Sequence, residues 1–180
     1  MMHFTSWGNI PAGFAMPKTY VLLVDDETEF IEAMAERLAI RGYQVFCSST
    51  GEDALAQLEK EPDLDVAVLD LKMPGMGGIE ILAEIKKRHP LVQVIMLTGY
   101  ATVPSAIESM KLGAFDYVVK PFDTERLIVL INEAAATKKK YAAQILDARQ
   151  IPYISERDRE QLIAEIMEAA ATGRRSEPDE

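Results

Sequence analysis

The feature that most constrains the fold is a repeated alternation, from Tyr20 onward, between short β-branched or apolar runs and longer stretches with helical periodicity. This alternation is typical of a parallel sheet covered by helices on both faces, because parallel strands need long crossover connections. The predicted strands are YVLLV, YQVFCS, DVAVLD, VQVIML and FDYVV. We therefore predict an α/β fold with a doubly wound five-stranded parallel sheet.

Helices are predicted between the strands and after the last one. The first four span Thr28–Arg41, Gly51–Lys60, Gly78–Arg88 and Thr102–Leu112. A fifth helix is capped by Asp123 and meets no glycine or proline until Pro152, so it is unusually long. The sequence SERD at 155–158 is a capping box for a final helix that reaches Ala171.

Composition and segment boundaries limit the possible function. Hydrophobic residues make up 48% of the chain and the formal net charge is −10, which suits a globular core and excludes an overall basic field for nucleic acid or lipid. No apolar stretch is long enough to span a membrane, and a cytoplasmic location is predicted. We divide the chain into an irregular N-terminal arm (1–17), an α/β domain (18–137), and a helical extension with a frayed tail (138–180).

Polar residues cluster where the predicted strands end. Asp25 and Asp26 follow the first strand, Asp70 the third, Thr98 the fourth and Lys120 the fifth. Ligands of doubly wound sheets bind at the carboxyl ends of the strands, so these groups are expected to converge. Taken alone, the acids after the first strand could simply cap a helix. Carboxylates crowded together must be hydrated, partly protonated or neutralised by a cation.

Four longer stretches carry a family resemblance: VLLVDDE, VLDLKMPGMGGIEIL, VIMLTGYA and GAFDYVVKPFD. In this order and on this strand pattern, they resemble the receiver domain of bacterial two-component response regulators over roughly residues 18–137. The resemblance implies the flavodoxin-like strand order 2-1-3-4-5. It also implies a sensor histidine kinase or phosphotransfer protein as partner, and no enzymatic activity beyond Mg²⁺-dependent self-phosphorylation and slow self-dephosphorylation.

The resemblance assigns a role to each residue of the predicted cluster. Asp70 is the phosphoacceptor and Lys120 the counter-ion of the phosphoryl group. The metal ligands would be Asp25, Asp26, Asp70 and the backbone carbonyl of Lys72. Such an all-oxygen set suits Mg²⁺, a small hard cation that usually keeps several waters.

Three further positions are implied to change or fix the shape of the site. Thr98 would move toward the phosphoryl group, and Tyr117 would swing into the space it leaves. Pro121 corresponds to a position usually preceded by a cis peptide bond. The loop after the third strand departs from the family pattern at Gly77, where aspartate is frequent, and we expect little chemical effect.

The output of the receiver has more than one possible form. A stand-alone receiver would signal through a protein contact or dimerisation, whereas the alternative is a receiver fragment of a longer DNA-binding transcription regulator. After the long helix, only about 30 residues with one helix remain, too few for a DNA-binding domain within this chain. An aspartyl-phosphate hydrolase is disfavoured because Lys72 stands where that class has a second aspartate.

The long helix carries an apolar stripe that continues past the predicted sheet. Its residues are Leu127, Ile131, Ala134, Tyr141, Ile145 and Ala148. We therefore predict a homodimer through this helix, with the last helix packed against that pair or against the face bearing Tyr117. The alternative is a linker ordered only in a longer parent. The lysines at 138–140 are predicted to form a solvated helix face.

Overall fold

A computed structural model describes residues 18–99 and 102–173 of the chain. The strands are β1 (Tyr20–Val24), β2 (Gln44–Ser48), β3 (Val66–Asp70), β4 (Gln93–Thr98) and β5 (Asp116–Val119). They form one parallel sheet in the order β2-β1-β3-β4-β5, which confirms the predicted fold and strand order. The predicted arm (1–17) and most of the predicted tail (174–180) lie outside the described residues.

Six helices are present in the described part of the chain: α1 (Thr28–Ile40), α2 (Gly51–Lys60), α3 (Gly78–Arg88), α4 (Val103–Lys111), α5 (Thr124–Gln150) and α6 (Glu156–Thr172). Local capping explains where the last two begin. The Asp123 side chain accepts the Glu125 N–H, and the Ser155 side chain accepts the Asp158 N–H. None of the helices described combines the length and hydrophobicity needed to cross a lipid bilayer.

Both faces of the sheet are buried. Alternate side chains of one strand enter different cores, so Leu23 packs with residues of α1 and α5, whereas Leu22 packs with residues of α2 and α3. Leu38 and Leu127 fill the first core, and Leu58 fills part of the second. Burying each such side chain contributes about 1.5–3 kcal/mol. These cores hold the carboxyl ends of the strands in a fixed arrangement.

The apolar stripe of α5 is covered within the same chain. Beyond the sheet, Tyr141, Ile145 and Ala148 are buried in the monomer. Helix α6 turns back after residues 151–155 and packs against α5 and α3. The exposed stripe that led us to expect a homodimer is therefore not present while α6 is docked.

The carboxyl end of α6 contacts the α/β domain at two points. The Lys86 ammonium, on α3, donates to the carbonyl oxygens of Val92 at 3.0 Å and Ala170 at 3.3 Å. A Cβ built on Gly113 would lie 1.9 Å from the Ala171 carbonyl oxygen, so the two backbones meet there without room for a side chain. Helix α6 thus ends against the turn that leads into β5.

Lys138 contradicts the prediction of a solvated lysine face. Its ammonium donates to the carbonyl oxygens of Asp63 at 2.9 Å and Leu64 at 2.7 Å, and it lies 3.2 Å from the Asp65 carboxylate. The reason is tertiary, because α5 passes the turn that connects α2 to β3 and brings Lys138 over its carbonyl groups. The prediction for Lys138 was wrong, whereas the neighbouring Lys139 is exposed.

Candidate functional site

The parallel register brings the predicted site residues to one edge of the sheet. Asp70 ends β3 opposite Leu97, so that Thr98, the last residue of β4, stands one position further along. Thr98 is paired with Val119 at the end of β5, and the backbone N–H of Lys120 donates to the Thr98 carbonyl at 2.8 Å. Local strand pairing therefore places Lys120 beside β4.

An ion pair joins Asp25, near the start of the α/β domain, to Lys120, near its end. Lys120 Nζ lies 2.5 Å from Asp25 Oδ2 and 3.7 Å from Asp70 Oδ1. Both aspartates are buried, with 1% of Asp25 and 7% of Asp70 exposed. A single ammonium therefore faces two buried carboxylates, which leaves this end of the sheet short of positive charge.

The pKa of Asp70 is raised, first by burial and then by the neighbouring acids. Burial raises the pKa above its usual value, and the negative charges of Asp25 and Asp26 raise it further. The Lys72 backbone N–H and the Lys120 ammonium act in the opposite direction, but the pKa remains raised. The Lys120 ammonium is also desolvated, yet its carboxylate partners hold its pKa above the ordinary lysine value.

Backbone groups of the adjoining loops orient the carboxylates. The Lys72 N–H donates to Asp70 Oδ2 at 2.7 Å, and the Glu27 N–H donates to Asp25 Oδ1 at 2.9 Å. The loop after β3 then returns so closely that a Cβ on Gly78 would lie 2.1 Å from the Asp70 carbonyl oxygen. A side chain at that position would push the start of α3 away from the acidic residues.

Sequence reasoning missed two residues that contact the Lys120 ammonium. Glu27 Oε1 lies 3.2 Å from Lys120 Nζ, and the ring centroid of Phe30 lies 4.3 Å from it. The ring of Phe122 packs edge-on against Phe30 at 6.2 Å. Glu27 is the third acid of VLLVDDE, so a signal for it existed, but only the tertiary contact between α1 and the end of β5 could identify Phe30.

Comparison with protein families assigns residues 21–132 to the response regulator receiver domain. The chain belongs to this family. The receiver domain therefore occupies most of the α/β part of the chain, and α6 with the distal two thirds of α5 lies beyond it.

Known relatives match this receiver over a limited part of their own length. Regulatory protein AtoC of Escherichia coli K12 is 37% identical over 114 residues, which are 63% of this chain and 24% of AtoC. The DNA-binding transcriptional regulator NtrC of Salmonella typhimurium is 36% identical over 120 residues, which are 66% of this chain and 25% of NtrC. The chain thus spans about a quarter of the length of these curated relatives.

A solved structure supports the receiver fold. Response regulator TrrA of Thermotoga maritima, crystallised in complex with Mg²⁺ and BeF, superposes with a TM-score of 0.59 at 33% identity. The superposition covers 64% of this chain and 98% of TrrA.

The receiver's acidic residues fit a magnesium ion in their chemistry. Within residues 18–99 and 102–173, no three His, Cys, Asp or Glu side chains are arranged closely enough to hold a metal by themselves. Asp26 is exposed, and Asp25 has Lys120 as its close partner. Mg²⁺ is commonly held by one or two carboxylates with several waters, so a set of three protein carboxylates is not required.

The receiver's switch candidates lie on the two strands β4 and β5. Thr98 is fully buried, and the Tyr117 hydroxyl lies 3.1 Å from the Ser105 hydroxyl on α4. The Lys120–Pro121 peptide bond is cis. Tyr117 is half-buried and packs against the core that contains residues of α2 and α3.

Proposed function

We propose that this receiver accepts a phosphoryl group on Asp70 from a sensor histidine kinase or a phosphotransfer protein, and that it signals through a protein contact or dimerisation. The observation that carries this proposal is a buried carboxylate at the end of β3 with an ammonium 3.7 Å away. Asp70 and Lys120 supply the nucleophile and the positive charge that phosphoryl transfer requires.

The proposed transfer needs no general base. An oxygen of ionised Asp70 attacks the phosphorus and forms an acyl phosphate. The bond from phosphorus to the donor breaks, and the electron pair leaves with the imidazole nitrogen of a phosphohistidine or with the acetate of acetyl phosphate. Negative charge on the equatorial phosphoryl oxygens is then stabilised by Lys120, which lies beside Asp70 before transfer.

We propose Mg²⁺ as the cofactor, and the TrrA complex with Mg²⁺ and BeF supports this assignment within the family. Asp25, Asp26, Asp70 and the carbonyl of Lys72 would hold the ion, which supplies positive charge to the phosphoryl oxygens. The hydroxyl of Thr98 would donate to the phosphoryl group at the end of β4. Movement of Thr98 toward that group would let Tyr117 leave its place beside α4, which changes the surface offered to a partner.

Intact-mass measurement tests the phosphoacceptor. The full chain is incubated with acetyl phosphate and Mg²⁺, and Asp70→Asn is expected to show no phosphate adduct. Asp63→Asn, at an aspartate outside the site in the turn before β3, is the matched control and should be phosphorylated as wild type. An undiminished adduct on Asp70→Asn would refute the assignment.

A second candidate is that the chain is the receiver part of a longer DNA-binding transcription regulator. The supporting observation is that NtrC, described as a DNA-binding transcriptional regulator, matches this chain over 25% of its length. In that case the DNA contact would be made by segments outside residues 18–173, and phosphorylation would control them. Reading the coding sequence beyond codon 180 distinguishes the two candidates directly.

Dimerisation through α5 needs a change in the structure before it can use the predicted stripe. Tyr141, Ile145 and Ala148 are covered by α6, whereas Val129 and Leu146 leave other apolar area exposed on α5. Sedimentation equilibrium of the full chain, with and without beryllofluoride as a phosphoryl analogue, tests the proposal. A monomer at tens of micromolar under both conditions would contradict a phosphorylation-dependent homodimer.

A further inference from the structure

The Lys120 ammonium is held more closely by two acids than by the proposed phosphoacceptor. Its distances are 2.5 Å to Asp25, 3.2 Å to Glu27 and 3.7 Å to Asp70. The first two are hydrogen-bond distances and the third is longer than a hydrogen bond. In this structure the Lys120 ammonium is therefore hydrogen-bonded to Asp25 and Glu27 but not to Asp70.

Asp25 has no carboxylate oxygen that is unengaged. Oδ1 accepts the Glu27 N–H at 2.9 Å, and Oδ2 accepts the Lys120 ammonium at 2.5 Å. The Glu27 N–H belongs to the N-cap residue of α1, so its bond to Asp25 is made at the start of that helix. A divalent cation that binds Asp25 would lie next to the Lys120 ammonium, and the repulsion between the two positive charges favours a shift of the ammonium away from Asp25.

The Glu27 side chain is placed to receive the displaced ammonium. Glu27 is the N-cap residue of α1, yet its carboxylate makes no capping hydrogen bond there. The carboxylate instead accepts from Lys120 Nζ. Contact with Lys120, and not the start of the helix, therefore accounts for the position of this side chain.

Phe30 limits where the ammonium can move. Its ring face lies 4.3 Å from Lys120 Nζ, and the edge-on contact with Phe122 holds the ring. An ammonium over an aromatic face is attracted to the ring, so Nζ can shift between neighbouring carboxylates without leaving the ring. The acids and the ring together restrict the Lys120 ammonium to a short range of positions.

We propose that Glu27 is a positioning residue that holds the Lys120 ammonium when a divalent cation occupies Asp25, and so keeps it ready for the phosphoryl group. The inference rests on the proposed function. It requires that the contact between Glu27 and Lys120 is stronger in the metal-bound state than in the metal-free state, since a contact of equal strength in both would not change metal affinity.

Calorimetric titration of the full chain with Mg²⁺ tests the proposal. Glu27→Gln is compared with Glu29→Gln, which removes an exposed acid from the same first turn of α1 and measures the general effect of one lost charge. We expect Glu27→Gln to weaken Mg²⁺ binding by about two- to fivefold beyond the control, the range of an exposed ion pair. Both substitutions are then repeated in a Lys120→Met background, where their effects should become equal.

The outcomes separate this inference from the proposed function. If the wild-type chain binds no Mg²⁺, both are overturned. If Mg²⁺ binds but Glu27→Gln and Glu29→Gln have equal effects, Glu27 does not position Lys120 and the proposed function stands. An excess effect of Glu27→Gln that persists without Lys120 also overturns the inference, because Glu27 would then act on the cation directly.

Discussion

Replacing Gly113 by alanine is expected to detach α6 from the receiver while leaving the α/β core folded. The added Cβ would lie 1.9 Å from the carbonyl oxygen and 2.9 Å from the carbonyl carbon of Ala171. Both atoms are backbone, so no side-chain rotation can relieve the overlap. The α6 backbone must move away by roughly 1.5 Å to reach van der Waals contact.

The stability lost in Gly113→Ala has two parts, and a matched variant separates them. Gly113 has φ +90°, and a side chain in this region costs about 1–2 kcal/mol wherever it occurs. Gly42 has φ +91° with no atom within 4 Å of an added Cβ, so Gly42→Ala carries this backbone cost without the overlap. The second part is the cost of the overlap with Ala171, which weakens the docking of α6. Because Ala170 is the one fully buried residue of α6, this helix is expected to detach before the sheet unfolds.

Hydrogen exchange on the full chain measures the loss of docking. Peptides from α6 should exchange at least about tenfold faster in Gly113→Ala than in wild type, which corresponds to a loss of roughly 1.4 kcal/mol of local stability. In Gly42→Ala the α6 peptides should exchange as in wild type, although urea unfolding shows a similar global loss. Equal α6 exchange in the two variants would show that the contact at Gly113 does not hold the helix.

Three further predictions concern charged residues. Asp26→Asn should raise the melting temperature of the metal-free protein, because Asp26 adds to the negative charge that raises the pKa of Asp70; a lower melting temperature would contradict the argument that Asp26 repels the buried acids. Burial lowers the pKa of Lys86 from 10.5 to about 8, so the unfolded chain binds more protons between these values. The free energy of unfolding of wild type, relative to that of Lys86→Met, should therefore rise by up to about 3 kcal/mol between pH 8 and 10.5. A difference between the two proteins in urea unfolding that does not change with pH would contradict this prediction. Lys138→Met should lower the free energy of unfolding by about 1–3 kcal/mol, whereas Lys139→Met, on the exposed side, should stay within about 0.5 kcal/mol of wild type.

The sequence by itself determined the strands, the helices and the composition of the candidate site. Strand runs with polar residues at their carboxyl ends are local patterns, and parallel strands must bring those ends to one edge. The position of Asp25, Asp70, Thr98 and Lys120 along the chain was therefore enough to predict their convergence. The cap at Asp123 likewise predicted the start of α5.

Only the tertiary structure decided which groups become partners across the fold. The contact of Lys120 with Glu27 joins residues 93 positions apart, and the contact of Lys138 with Leu64 joins residues 74 apart. The apolar stripe of α5 showed that another surface must cover it. The hydrophobic effect is not directional, however, so the stripe alone does not specify which surface that is. The turn at 151–155, together with the fit of α6 against Lys86 and Gly113, selected a helix of the same chain.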